Sequence, residues 1–272
     1  MPSNGLATSS AAGGPALHNA RVEEWVAVRG DETLRLDYDL GPDSIVLDLG
    51  AYQGAFAHDI GTRYGSRLYL SEPVPQFIDQ LRVRFAGDPK VTILPFAMGG
   101  QDGELSLSLD ADATSMFKAG AAAVVAPVRA IDKVLDELGV DRVDLLKINV
   151  EGAEYDILEA LVRSGWISRV RDIQVQFHDF VPDAPARLAA LRRRLSATHF
   201  PTYLYTFVWE NWRRREGQPH ERWIEHAVLG TASTRDRLLG DMLRLRSRVE
   251  ELARPGSWEQ RARVLKRFFF GP

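Results

Sequence analysis

Residues 45–54, IVLDLGAYQG, constrain this chain more than any other segment. Three β-formers at 45–47 run into Asp48, and Gly50 and Gly54 follow on either side of Tyr52. Such a run reads as a buried parallel strand ending in a loop where backbone must approach a ligand closely. A second strand over 67–72, RLYLSE, ends in an acid, Glu72. An acid about twenty residues past a glycine loop is placed to accept hydrogen bonds from a ribose diol. Together the two segments predict an adenosine-bearing cofactor at the carboxyl edge of an α/β sheet.

The rest of the chain alternates in the same way. Helices are expected near 54–64 and 75–86, a strand at 91–96, and a half-exposed strand at 103–109 marked by strict period-two alternation. A helix at 130–139, a strand at 143–149, a helix from about 151 to 164, a strand at 171–177 and a basic helix at 184–196 follow. Repeated βα units predict a doubly wound, mostly parallel sheet with helices on both faces. Segments 202–209 and 225–231 read as two further strands, close enough to close the sheet as an antiparallel hairpin. A short amphipathic helix is expected at 17–29.

These readings divide the chain into a disordered N-terminal segment at 1–16, one domain at 17–232, and a C-terminal helical extension at 233–272. In the extension, Leu238, Met242, Leu245, Val249 and Leu252 form a short heptad-like seam. Packing on the chain's own domain and homodimerisation through these helices both remain open.

Composition narrows the chemistry. Net charge is −3, so no global field recruits nucleic acid or an anionic membrane. With no cysteine, thiolate nucleophiles and thiolate metal sites are excluded. The N-terminal segment lacks the basic start and apolar core of a signal peptide, and the most apolar run, 119–127, is too short to span a bilayer. A soluble, cytoplasmic protein is expected. The six histidines show no metal-ligand spacing, so no metal is expected.

The glycine loop has the pattern Asp-x-Gly-x-x-x-Gly, not the Gly-x-Gly-x-x-Gly that seats a pyrophosphate. It therefore suits S-adenosylmethionine, which has an adenosine, an amino-acid end and a sulfonium but no pyrophosphate. Asp48 is a candidate for orienting the loop or meeting the cationic end of that cofactor. Lys147 and Asn149 share one face of an otherwise mostly aliphatic strand. A lysine there is costly unless paired, and Glu151 and Glu154 at the following helix start are its candidate partners. Asn149 and Glu151 are candidates for holding cofactor or acceptor. His178, with Asp179 beside it, ends the strand at 171–177 and is a candidate general base. Residues 203–212 are aromatic-rich and read mostly as a core strand before a basic loop. Glu210 and Asn211 at its end are acceptor-pocket candidates.

Taken together these motifs resemble the FkbM family of S-adenosylmethionine-dependent methyltransferases, over roughly residues 34–232. The first-strand signature matches residues 46–54. The Phe-Glu-Pro motif matches Ser71, Glu72 and Pro73, with serine in the aromatic position. The most specific likeness is at 146–154, LKINVEGAE, where Asn149 stands in place of the usual Asp; Gln176 stands where relatives often carry Glu. The polar segment with Thr114 and Ser115 resembles the family's loop that contacts cofactor or acceptor. The resemblance implies a class I, Rossmann-like seven-stranded fold and methyl transfer to an oxygen of a sugar or secondary metabolite. Its cofactor-binding residues would be Asp48, Gly50, Tyr52, Gly54, Glu72, Pro73, Thr114, Ser115 and Asn149. His178, assisted by Asp179, would take the acceptor proton, with Lys147 and Glu151 shaping the site. Two alternatives remain: a non-catalytic cofactor-binding scaffold, and a nucleotide-linked oxidoreductase on a similar sheet.

Overall fold

The structure, a computed structural model, describes residues 15–108 and 123–215. A helix, α1 (Pro15–Ala27), leads into a connecting segment and then into the first strand, β1 (Ile45–Leu49). Next come α2 (Ala55–Tyr64), β2 (Arg67–Ser71), α3 (Pro75–Arg84) and β3 (Val91–Leu94). Three strands follow: β4 (Ala97–Gly99), β5 (Gly103–Ser108) and β6 (Ala123–Ala130). The chain then returns through α4 (Ile131–Glu137), β7 (Val143–Ile148), α5 (Glu154–Ser164) and β8 (Val170–Val175). It closes with α6 (Ala184–Leu195), β9 (His199–Tyr205) and β10 (Trp209–Arg214).

The main sheet has seven strands in the order β3-β2-β1-β7-β8-β10-β9. Pairing is parallel from β3 across to β8, and β10 runs antiparallel to both its neighbours. The strand order reverses between β1 and β7, so the chain leaves their paired carboxyl ends toward opposite faces of the sheet, α2 on one and α5 on the other, at the switch point where ligands of such sheets bind. A smaller sheet, β4-β6-β5, stands beside it.

Successive side chains of a strand face opposite sides of the sheet. Leu47 and Leu49 of β1 join Leu146 and Ile148 of β7 in a core with α4, α5 and α6 residues such as Ile131, Leu158 and Leu188. Val46 and Leu145 face the other way, onto Ala57 and Ile60 of α2 and Leu81 of α3. The sheet is therefore covered on both faces. Burying Leu47, Leu49, Ile148 and Leu158 contributes about 1.5–3 kcal/mol each. A third cluster joins Trp25 of α1 to Tyr203, Tyr205 and Trp209 on the last two strands.

The closing hairpin exists, but its strands are not the expected pair. The alternation at 202–209 does not continue through one strand. It breaks at a turn after Tyr205, where Phe207 adopts φ +62°, and β10 begins at Trp209. Segment 225–231, Thr114 and Ser115, residues 1–14 of the N-terminal segment expected to be disordered over 1–16, and the helical extension all lie outside the described residues; Pro15 and Ala16 of that segment begin α1. Among the described residues, no helix is long and apolar enough to cross a membrane.

Candidate active site

The glycine loop is shaped first by the protein's own packing. Gly50 has φ +78°, and a Cβ there would sit 1.9 Å from the carbonyl oxygen of Asn149. Gly54 has φ +77°, and its Cβ would press on Leu81 and Phe85 at 2.7 and 2.8 Å. The loop must be bare to lie against the end of β7 and against α3, a packing reason for both glycines that stands beside the expected ligand approach. The backbone N–H groups of Gly50 and Ala51 both donate to the Ser71 carbonyl, which ties the loop to β2.

Glu72 is 5% exposed, and its carboxylate accepts the backbone N–H of Tyr52 (2.8 Å) and of Val74 (3.0 Å). Burial raises its pKa, and those two bonds only partly offset the rise. It is thus a clamp between the glycine loop and the half-buried Pro73 turn, with each oxygen keeping a free lone pair. Tyr52 has φ +52°, is 43% exposed and meets the Phe77 ring edge-on at 4.3 Å. The two rings make an aromatic wall beside the switch point.

Lys147 and Asp48 lie deepest, at 4% and 1% exposure. Lys147 Nζ is 2.7 Å from Asp48 Oδ1 and donates to the Gly50 carbonyl at 2.8 Å. Burial pulls the lysine pKa down, and the Asp48 carboxylate opposes that pull. Lys147 therefore pairs with Asp48, not with Glu151 or Glu154. It braces the underside of the loop.

Two acceptors in this region are buried without a hydrogen-bond partner: Asp48 Oδ2 and Asn149 Oδ1. An orphaned buried acceptor costs about 1–3 kcal/mol. Both sit at the carboxyl edge of the switch point, beside the Glu72 clamp and the aromatic wall. The residues present therefore fit S-adenosylmethionine. Asp48 and Asn149 would hold it through acceptors that have no partner within the chain, Glu72 through its spare lone pairs, and Tyr52 through an aromatic face.

Across the switch point, the first turn of α5 grips the end of β8. Glu154, with no exposed surface, accepts from Gly152 N (2.8 Å), His178 N (2.7 Å) and His178 Nδ1 (2.9 Å). Tyr155 Oη donates to the His178 carbonyl at 2.9 Å. His178 Nε2 faces Glu151 Oε2 at 3.4 Å, and the Phe180 ring lies 5.1 Å from the imidazole. Glu151 adopts φ +51°. Burial disfavours the imidazolium, but the carboxylates of Glu154, Glu151 and Asp179 outweigh it and hold the His178 pKa above its ordinary range. The Glu151 carboxyl is likewise pushed up, chiefly by burial, with His178 opposing.

The structure thus brings His178 and Glu151 together and corrects the pairing with Asp179. That residue is exposed, and the histidine's hydrogen-bond partner is Glu154. Glu154 was read from sequence as an acid at a helix start and a candidate partner of Lys147, not as the partner of a histidine. Its total burial in a first helical turn is the signal that it serves another group. Glu210 and Asn211 are not pocket residues. Glu210 is held by Arg192 and Trp212, and Asn211 by Tyr38 and Thr202 at 3.2 and 2.7 Å. Among the described residues, no three His, Asp or Glu side chains converge as a metal site.

Residues 48–200 match the model of the methyltransferase FkbM domain. The AMB antimetabolite synthetase AmbE of Pseudomonas aeruginosa is 28% identical over 185 residues, which cover 52% of this chain and 9% of the synthetase. The FkbM methyltransferase structure from Methylobacillus flagellatus KT is 13% identical, with a TM-score of 0.47; the match covers 72% of this chain and 53% of that one. A putative rRNA methylase from Clostridium thermocellum is 9% identical with a TM-score of 0.45, over 70% and 96% of the two chains.

Proposed function

This chain belongs to the FkbM methyltransferase family, with S-adenosylmethionine as its cofactor, and on that premise we propose that it O-methylates a hydroxyl of a small molecule or glycan. When bound, the cofactor supplies an electrophilic methyl on a sulfonium, whose departure leaves a neutral thioether. The chain's own task is to hold the acceptor oxygen in line with that methyl and to remove its proton as the C–O bond forms.

One observation carries the reading. His178 is fixed at the carboxyl edge by α5 and presents Nε2 toward the partly exposed Glu151. The imidazole takes the acceptor proton, and Glu151 accepts a hydrogen bond from the acceptor or from the imidazolium. Lys147 and Asp48 keep the glycine loop rigid without touching the acceptor. The stretch shared with an antimetabolite synthetase supports a secondary-metabolite acceptor over a glycan. The low net charge favours a small-molecule partner over nucleic acid or membrane, and a cytoplasmic setting supplies the cofactor. Family membership displaces the oxidoreductase reading.

The test pairs calorimetry of S-adenosylmethionine binding with release of S-adenosylhomocysteine in the presence of a panel of hydroxylated metabolites and glycosides. His178→Gln is expected to lower turnover by about 10²–10⁴-fold while cofactor affinity stays within about threefold. Full turnover in that variant rejects His178 as base. Product methylated on carbon or nitrogen rejects O-methylation.

A further inference from the structure

The three hydrogen bonds that converge on Glu154 do more than fasten two loops. We propose that Glu154 is the positioning residue that selects the working nitrogen of His178: it takes the Nδ1 proton and leaves Nε2 as the nitrogen that receives the acceptor proton. The inference rests on reading His178 as the base.

An ionised carboxylate only accepts hydrogen bonds, so at 2.9 Å from Glu154 Oε1 the Nδ1 atom must donate. Neutral imidazole carries a single N–H, and a bond that fixes it on one nitrogen leaves the other with a lone pair. That other nitrogen, Nε2, has Glu151 Oε2 at 3.4 Å, on a side chain that is 29% exposed. The free lone pair therefore points to the open side of the site. The backbone of His178 is fixed beside Glu154, its N–H held by the same carboxylate oxygen and its carbonyl by Tyr155 Oη, and a half-turn of the ring would put the Cδ2 carbon in place of Nδ1 and lose the bond to Glu154.

Glu154 also sets the neighbour. Its second oxygen holds Gly152 N at 2.8 Å, directly after Glu151, whose left-handed backbone is unfavourable for a non-glycine residue. One buried carboxylate thus positions both groups that face the acceptor. The charged groups around the imidazole are Glu154 from α5, Glu151 from the loop after β7, and Asp179 on its own loop. All three carry the same sign, and Glu154 alone is in hydrogen-bond contact with the ring.

The tautomer is read by long-range ¹H–¹⁵N spectra of the full chain labelled at its six histidines, with His178 identified by its absence in His178→Gln. Above its pKa, wild-type His178 is expected as the Nδ1–H form. Glu154→Gln keeps an acceptor but removes the charge. It should lower the His178 pKa by about one unit and move the acidic limb of the pH–rate profile with it. A dominant Nε2–H form in the wild type overturns the proposal on its own, whatever the yield of the variant. An unchanged His178 pKa in Glu154→Gln overturns it as well. If His178→Gln retains turnover while the Nδ1–H tautomer is observed, the base assignment fails and the positioning geometry stands.

Discussion

The two ends of the central sheet both bury charge, and they treat it differently. At the amino end, Asp172 is fully buried, and each of its oxygens meets an arginine, Arg213 at 2.8 Å and Arg171 at 3.4 Å. Asp144 accepts the Ile45 N–H at 2.8 Å and faces Arg171 and Arg142. His199 has both ring nitrogens engaged, by Thr198 Oγ1 and the Val170 carbonyl. At the carboxyl end, Asp48 Oδ2 and Asn149 Oδ1 have no partner, Glu151 is strained, and His178 Nε2 has only a carboxylate 3.4 Å away. One end is complete within the chain. The other leaves two acceptors over at the switch point, and that surplus marks it as the candidate site.

The sharpest way to break this contrast is to remove a charge at the carboxyl end. Lys147→Ala strands the buried Asp48 carboxylate and should cost about 3–5 kcal/mol in urea denaturation. A loss below about 1 kcal/mol would show that the Asp48 pair does not brace the loop.

A smaller effect is expected at the amino end. Burial pushes the His199 pKa down to about 4, and Arg214 and Arg215 push the same way. The folded state therefore resists a proton that the unfolded chain binds readily near its ordinary 6.5. Above that value the linkage is silent. As pH falls from 6.5 towards 4, stability is lost, by roughly 2–4 kcal/mol in all. His199→Gln should flatten this part of the stability–pH curve. A curve identical to the wild type would show that another group dominates acid unfolding. His178 has the opposite linkage: its raised pKa favours the folded state at low pH and loses that contribution as pH rises through it.

The smallest effect separates neighbours. Asp179 is exposed and reaches His178 only through space, so Asp179→Asn should change turnover by less than about threefold. A loss comparable to that of His178→Gln would restore the adjacent acid as the partner.

The sheet was legible where a local pattern had one structural solution. Residues 45–49 and 143–148 are runs of β-formers bounded by turn residues, and they are β1 and β7. The last hairpin was not legible, because alternation at 202–209 continues across a turn that contains neither glycine nor proline; Phe207 supplies the left-handed residue instead. Segment β6 was hidden by the alanine-rich sequence at 119–123 that leads into it and by Pro127, a residue rarely found inside a strand. At the site, the cost of an unpaired Lys147 in an aliphatic strand pointed to a partner, but the choice of Asp48 depends on how β1 and β7 are paired. The Glu154–His178 bond joins residues 24 apart in sequence, across a helix and a strand, and only the fold makes them neighbours.

The near-contact between Gly50 and the Asn149 carbonyl has a practical consequence for redesign. Any side chain at position 50 would drive a wedge between β1 and β7, so libraries aimed at new donors should leave it alone. Tyr52, two residues on, projects outward from the same loop, tied by its main-chain N–H to Glu72 and by its ring to Phe77 alone among the described aromatic contacts. Diversity placed there alters what a donor meets while the interlocked strands stay shut.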